Sequence, residues 1–226
     1  MNIDTALSRN PPCITMMHFR LMTVLLIACL MLWGAQVSQA GEEPLPAACY
    51  APCVMPYGEV LGKSPGGVVA YSNCSGKCVS QDANIVDHVN TGMEWQCVEF
   101  ARRWLYRTHG LVFESVDNAY NIWDSITDLV DVKTGTRQNL KNLSNGSAES
   151  PQRGDLLIWS ADYLGTGHVA IVVRVDQQEG YVEVAEQNFL NQAWPGSYAR
   201  RIPLQQREGG VWLDDDYLLG WKRLLE

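Results

Sequence analysis

Glu94-Trp95-Gln96-Cys97-Val98-Glu99-Phe100-Ala101-Arg102-Arg103-Trp104-Leu105-Tyr106 is the stretch on which the reading of this chain turns. Cys97, Phe100, Ala101, Trp104 and Leu105 recur at the i, i+3, i+4, i+7, i+8 spacing of one helix face. Arg102, Arg103 and Arg107 fall largely on the other side, Gly110 supplies a stop signal, and Thr91-Gly92 marks the loop before. The pattern predicts a helix with Cys97 in its first turn, facing inward. The unpaired N–H groups and the positive dipole end at that turn favour a thiolate. The same N–H groups can hold a developing oxyanion, with the Gln96 side-chain amide as a second donor. Most free cysteines are small buried hydrophobes, so a nucleophile needs partners elsewhere in the chain.

The histidines after residue 40 are His88, His109 and His168. His109 falls in the last turn of the Cys97 helix, roughly 18 Å from the cysteine at 1.5 Å per residue, and suits the helix C-terminus electrostatically. His88 sits in a polar loop. His168 opens the β-branched run Gly167-His168-Val169-Ala170-Ile171-Val172-Val173-Arg174-Val175, the mouth of a strand, where a scaffold presents a base. The next strand, Tyr181-Val182-Glu183-Val184-Ala185-Glu186-Gln187-Asn188, places Val182, Val184, Glu186 and Asn188 on one face at period two. Either Glu186 or Asn188 could hold the imidazole tautomer. Gly154-Asp155-Leu156-Leu157-Ile158-Trp159 is a further strand, and Asp214-Asp215-Asp216 reads as a short acidic turn without partners for a metal.

Around these residues the chain is 226 residues long with a net charge of -8, which disfavours binding to phosphate backbones. Residues 1–40 read as a secretory signal. A short basic lead (His18, Arg20) precedes the apolar run Leu21 to Gly34, and Val37-Ser38-Gln39-Ala40 offers a cleavage site after Ala40. Met16 and Met17 are alternative starts. Leu26-Ile27-Ala28-Cys29 also resembles a lipoprotein box, the second reading of this segment. The apolar run is too short to span a membrane comfortably, so no membrane span is expected in the mature chain. Residues 41–226 carry 15 basic and 24 acidic residues, a net charge of -9.

Of seven cysteines, Cys13 and Cys29 leave with the leader. Cys49, Cys53, Cys74 and Cys78 form two C-x-x-x-C pairs in loop-like sequence, and secretion predicts two disulfides of undetermined connectivity. A four-thiolate zinc site is the competing reading. Cys97 is left over. The layout expected is a disulfide-rich N-terminal extension over 41–80, a helical half with helix-like sequence also at Asn118 to Val130, and an antiparallel sheet carrying His168, Glu186 and Asn188: an α+β fold.

The order Cys97, His168, then Glu186/Asn188 resembles the CHAP domain, the cysteine, histidine-dependent amidohydrolase/peptidase, and most nearly the amidase domain of bacterial glutathionylspermidine synthetase/amidase. The resemblance rests on Tyr57-Gly58-Glu59-Val60-Leu61-Gly62, Trp95 to Arg103, Gly154 to Trp159, Thr166 to Ile171, Ala185-Glu186-Gln187-Asn188 and Leu219-Gly220-Trp221. It implies a domain over 57–223 with a papain-like fold, N-terminal helices packed on the antiparallel sheet. It further implies Cys97 as nucleophile, His168 as base and acid, Asn188 (amidase branch) or Glu186 (other CHAP domains) as third member, and Arg102 near the substrate.

The expectation is therefore a secreted or periplasmic cysteine amidohydrolase that needs no metal or organic cofactor. Peptidoglycan peptides are the first candidate substrate on grounds of compartment. A glutathionylspermidine-like polyamine conjugate is the alternative. A catalytically silent binding module on the same fold is the reading from another class.

Overall fold

The runs 156–159 and 169–173 are apolar at successive positions, hence on both sides of the strand, and that dictates a sheet covered on both faces where they lie. A computed structural model of the chain describes residues 44–50, 52–207 and 209–225. The expected leader, with Cys13, Met16, Met17, Cys29 and Ala40, lies outside the described residues. Leu45–Glu226 form one compact unit.

Two hairpins come first, β1 (Val60–Lys63) with β2 (Val69–Tyr71) and β3 (Ala83–Val86) with β4 (Val89–Met93). Helix α1 (Cys97–His109) follows. Next are β5 (Leu111–Val112), the short helix α2 (Asn121–Ser125), β6 (Asp128–Asp131) and β7 (Arg137–Ser144). The remaining strands are β8 (Leu156–Trp159), β9 (His168–Asp176), β10 (Tyr181–Ala185), β11 (Arg200–Arg207), β12 (Gly210–Leu213) and β13 (Leu218–Leu224). A nine-stranded sheet runs β12-β11-β10-β9-β8-β13-β7-β6-β5, and every neighbouring pair is antiparallel.

Strand alternation sorts the core into two clusters. Leu156 and Ile158 of β8 and Val169, Ile171 and Val173 of β9 pack with Phe100, Ala101, Trp104 and Leu105 of α1. Leu157, Trp159, Ala170 and Val172 face the opposite way, with Val182, Val184, Ile202 and Trp221. The second cluster is enclosed because the sheet curls. Gly146, just after β7, donates its N–H to Val211 O of β12 at 2.9 Å, and the Val211 N–H returns to Ser147 O at 2.8 Å. The β12 edge is thus occupied rather than left open.

The helix begins and ends where the sequence indicates. Gln96 is the extended N-cap, and Gly110 closes the helix at φ 72°, a left-handed position that favours glycine. Gly167, at φ 67°, is required sterically as well: a Cβ there would lie 2.6 Å from Trp159 O and 2.8 Å from Tyr120 N. This tight passage delivers the chain into His168.

Several expectations are corrected. Asn118 to Val130 is not one helix: only Asn121–Ser125 is helical, and Asp128–Asp131 pairs with β7. A helix that short has little stability of its own, whereas the β-branched residues near its end gain backbone partners in the sheet. Strand β7 and both N-terminal hairpins escaped the sequence reading, so the half preceding the main sheet is a mixture of hairpins and one long helix rather than helical. The four N-terminal cysteines form the nested disulfides Cys49–Cys78 and Cys53–Cys74, which removes the zinc reading. Arg102 and Arg103 do not face solvent, being 9% and 6% exposed, because the hairpins and the segment after β5 cover the flanks of α1. Arg107 is exposed as expected and pairs with Asp87 at 2.7 Å.

Among the described residues no helix is long and apolar enough to cross a membrane.

Candidate active site

Cys97 is the first residue of α1 and the one cysteine outside a disulfide among the described residues. It is 8% exposed and lines a cleft of about 440 Å³ shared with Gln96, Arg102, His168 and Asn188. Cleft volumes of this order suit small-molecule ligands. The first turn of α1 leaves the N–H groups of Cys97 and Val98 without intrahelical acceptors, and they sit at the positive end of the helix.

His168, the first residue of β9, is 2% exposed. Its Nε2 meets Glu186 Oε2 at 2.8 Å, which leaves Nδ1 for the cleft that His168 shares with Cys97. Burial alone would lower the imidazole's proton affinity; the neighbouring Cys97 and Glu186 outweigh it and raise the pKa to about 9. The ring is boxed by Trp159, Tyr163 and Phe189, with centroids 5.3, 5.9 and 5.7 Å away. Glu186 is 1% exposed, and burial pushes its pKa up. The hydrogen bond to His168 and the charge of Arg200 reverse that and hold it below the ordinary carboxylate value.

Glu186 and Asn188 part company. Strand β10 ends at Ala185, and Asn188 sits at φ 57°, so the period-two reading fails beyond the strand. Asn188 turns to the other side of the cleft. Its Nδ2 donates to Gln96 Oε1 at 2.7 Å, and its Oδ1 accepts from Asn73 Nδ2 at 2.7 Å. Gln96 Nε2 donates to Cys78 O at 3.0 Å, as Asn73 Nδ2 does at 3.3 Å. A closed circuit of amides thus fixes the Gln96 carboxamide and ties it to a disulfide-bonded residue. One Nε2 proton is committed to Cys78, and the amide carries a second.

Behind Cys97 lies a buried polar network that the sequence reading missed. Glu99, 0% exposed, accepts from Arg103 Nε at 2.6 Å, Thr91 Oγ1 at 2.9 Å, Asn84 Nδ2 at 2.9 Å and Gln187 Nε2 at 3.1 Å. It binds α1 to β3, β4 and the end of β10. The one available sequence signal was Glu99 and Arg103 at i, i+4. Arg102 borders the cleft with its guanidinium 5.9 Å from the Phe113 ring centre, and its Nε has no partner among the described residues. His88 is exposed on the β3–β4 turn and His109 is exposed at the end of α1, so neither enters the site.

A thiol at a helix N-terminus, beside an imidazole anchored by a carboxylate, on this α+β papain-like scaffold, defines a cysteine amidohydrolase. Within that class the chain carries a CHAP domain: the family model of that description matches residues 87–188. The chain is 34% identical over 181 residues to the bifunctional glutathionylspermidine synthetase/amidase of Escherichia coli (strain K12), covering 74% of this chain and 29% of that protein. It is 35% identical over 191 residues to trypanothione synthetase of Crithidia fasciculata, covering 80% of this chain and 29% of the relative. The glutathionylspermidine synthase of the same organism matches at 30% over 190 residues, 74% of this chain and 26% of its own length. The chain spans less than a third of each of these relatives.

Proposed function

We propose that Cys97 is the nucleophile of this amidohydrolase, His168 its base and acid, and Glu186 the residue that orients the imidazole. The observation that carries the reading is the unpaired Cys97 at the head of α1, sharing its cleft with a His168 whose Nε2 is anchored 2.8 Å from Glu186. The thiolate attacks the amide carbonyl. The N–H groups of the first turn, with the second Nε2 proton of Gln96, receive the oxyanion. The imidazolium gives its proton to the departing amine, leaving a thioester. Water, deprotonated by His168, then releases the acid and restores Cys97.

The substrate we favour is a small peptide–polyamine conjugate of the glutathionylspermidine type, supported by the names of the relatives and by a cleft of about 440 Å³. A peptidoglycan peptide is the second reading. The disulfides Cys49–Cys78 and Cys53–Cys74 favour it, since such bonds persist outside the reducing cytosol, where wall peptides are the accessible amides.

The test is to incubate the oxidised chain and its Cys97→Ala variant with glutathionylspermidine and, separately, with purified sacculi, and to measure new amines. Amine release from the conjugate that disappears in Cys97→Ala is the expected result. Release from sacculi alone moves the substrate to the wall. Release from neither, with Cys97 inert to iodoacetamide, leaves a silent binding module.

A further inference from the structure

We propose that Arg200 is a positioning residue for this site, holding the Glu186 carboxylate ionised and aimed at His168. The inference rests on the reading of Glu186 as the orienter of His168 and extends it by one shell. Arg200 is the first residue of β11, well apart in sequence from each residue it joins.

The two Glu186 oxygens are divided. Oε2 faces His168 Nε2 at 2.8 Å, and Oε1 accepts from Arg200 Nε at 2.7 Å. Arg200 Nη1 is bound in turn by Asp215 Oδ2, and Asp215 Oδ1 accepts from Trp159 Nε1 at 2.8 Å. The guanidinium lies over the Phe189 ring at 4.2 Å and near the Trp159 ring at 5.5 Å. Those two rings also flank His168. Arg200 therefore grips the same aromatic box that holds the imidazole. The fork fixes one oxygen so that the other has a single orientation, which a planar guanidinium does better than a lysine ammonium.

The titratable groups acting on Glu186 are His168 of β9, Arg200 of β11 and Tyr163 of the β8–β9 connection, while Cys97 of α1 acts on His168 and Asp215 of the β12–β13 turn pairs with Arg200. A carboxylate this deeply buried beside a histidine is prone to protonation. Arg200 supplies a permanent positive charge against it, and Asp215 offsets the cost of burying that charge. A merely structural arginine would stabilise the fold and leave the ionisation of Glu186 alone.

The experiment follows the rate of Cys97 carbamidomethylation by iodoacetamide against pH in the oxidised full chain, for wild type, Arg200→Gln and Arg200→Lys. No substrate is needed. A wrong substrate assignment therefore leaves the result intact. A profile that His168→Ala does not alter would instead strike the reading of the site as a thiol hydrolase. Arg200→Gln keeps a hydrogen-bond donor and removes the charge, and its acid limb is expected to move up by about one pH unit, a tenfold change in proton affinity. Arg200→Lys is expected to keep the limb near wild type while the maximal rate falls severalfold. Unmoved limbs in both variants, or equal shifts in both, overturn the proposal. Should Arg200→Gln fail to fold, the titration of the Glu186 carboxyl by carbon-13 NMR in the wild-type chain decides. Ionisation persisting below the ordinary 4.5 supports the proposal, and protonation at or above it overturns it.

Discussion

The two walls of the cleft are held by different forces. On one side, residues 45–96 contribute few large core side chains; Ser72, Asn73, Ser80 and Thr91 are buried there, and two nested disulfides close the segment. On the other side, β8 to β10 bury nearly every residue, from Leu156 to Trp159, from His168 to Val173 and from Val182 to Ala185. The first wall is built from directional bonds, and its amides aim Gln96 at Cys97's surroundings. The second is built from non-directional apolar burial, and it holds His168 in place by excluding alternatives. The candidate acid–base pair thus belongs to the rigid sheet, while the candidate oxyanion side leans on cross-links and hydrogen bonds.

Breaking the sheet wall has the largest expected effect on stability. Trp221, fully buried in the enclosed cluster, should cost about 3–5 kcal/mol as Trp221→Ala, read by urea denaturation of the whole unit. Removing the outer disulfide with Cys49→Ser and Cys78→Ser should cost about 3.6 kcal/mol, the loop-closure scale for a separation of 29 residues. The contrast is sharpest in hydrogen exchange: amides of residues 45–93 should lose protection first while those of β8 to β10 keep theirs. Equal loss in both walls would erase the distinction.

Asn188→Ala tests the amide circuit with a smaller effect. It frees the Gln96 carboxamide, and amide turnover should fall about tenfold in kcat, less than deleting an oxyanion donor outright. The pH profile of Cys97 alkylation should stay where it is, since Asn188 makes no hydrogen bond to His168. A shift in that profile would mean that the two walls act as one.

The mildest probe is pH. The His168 pKa is raised from 6.5 to about 9, so the imidazolium is favoured in the folded chain. Its contribution to stability is complete below 6.5 and fades as pH rises through about 9. Amide turnover should fall over the same range, because leaving-group protonation needs the imidazolium. Alkylation by iodoacetamide, which needs no general acid, should not fall there. Parallel loss of both would point to unfolding instead.

The start and stop of α1, the strands around His168 and the odd status of Cys97 were legible because they are local: helical periodicity, a C-cap glycine, β-branched runs and cysteine spacing act over a few residues. The helix expected over Asn118 to Val130 was misread because strand pairing with β7, a non-local interaction, outweighed local pattern. The outward placement of Arg102 and Arg103 failed for the same reason, since the coverage of α1 by residues distant along the chain cannot be seen in its periodicity.

The sequence by itself determined the class of chemistry, because a cysteine at a helix start and a histidine at a strand mouth are fixed by local pattern. Only the tertiary structure decided that Glu186 rather than Asn188 meets His168, that Cys49 pairs with Cys78, and that Arg200 and Asp215 stand behind the carboxylate. Those contacts depend on how β10 ends, how the sheet curls and which strands lie side by side. Such long-range packing is set by the whole chain at once, and no short stretch of residues encodes it.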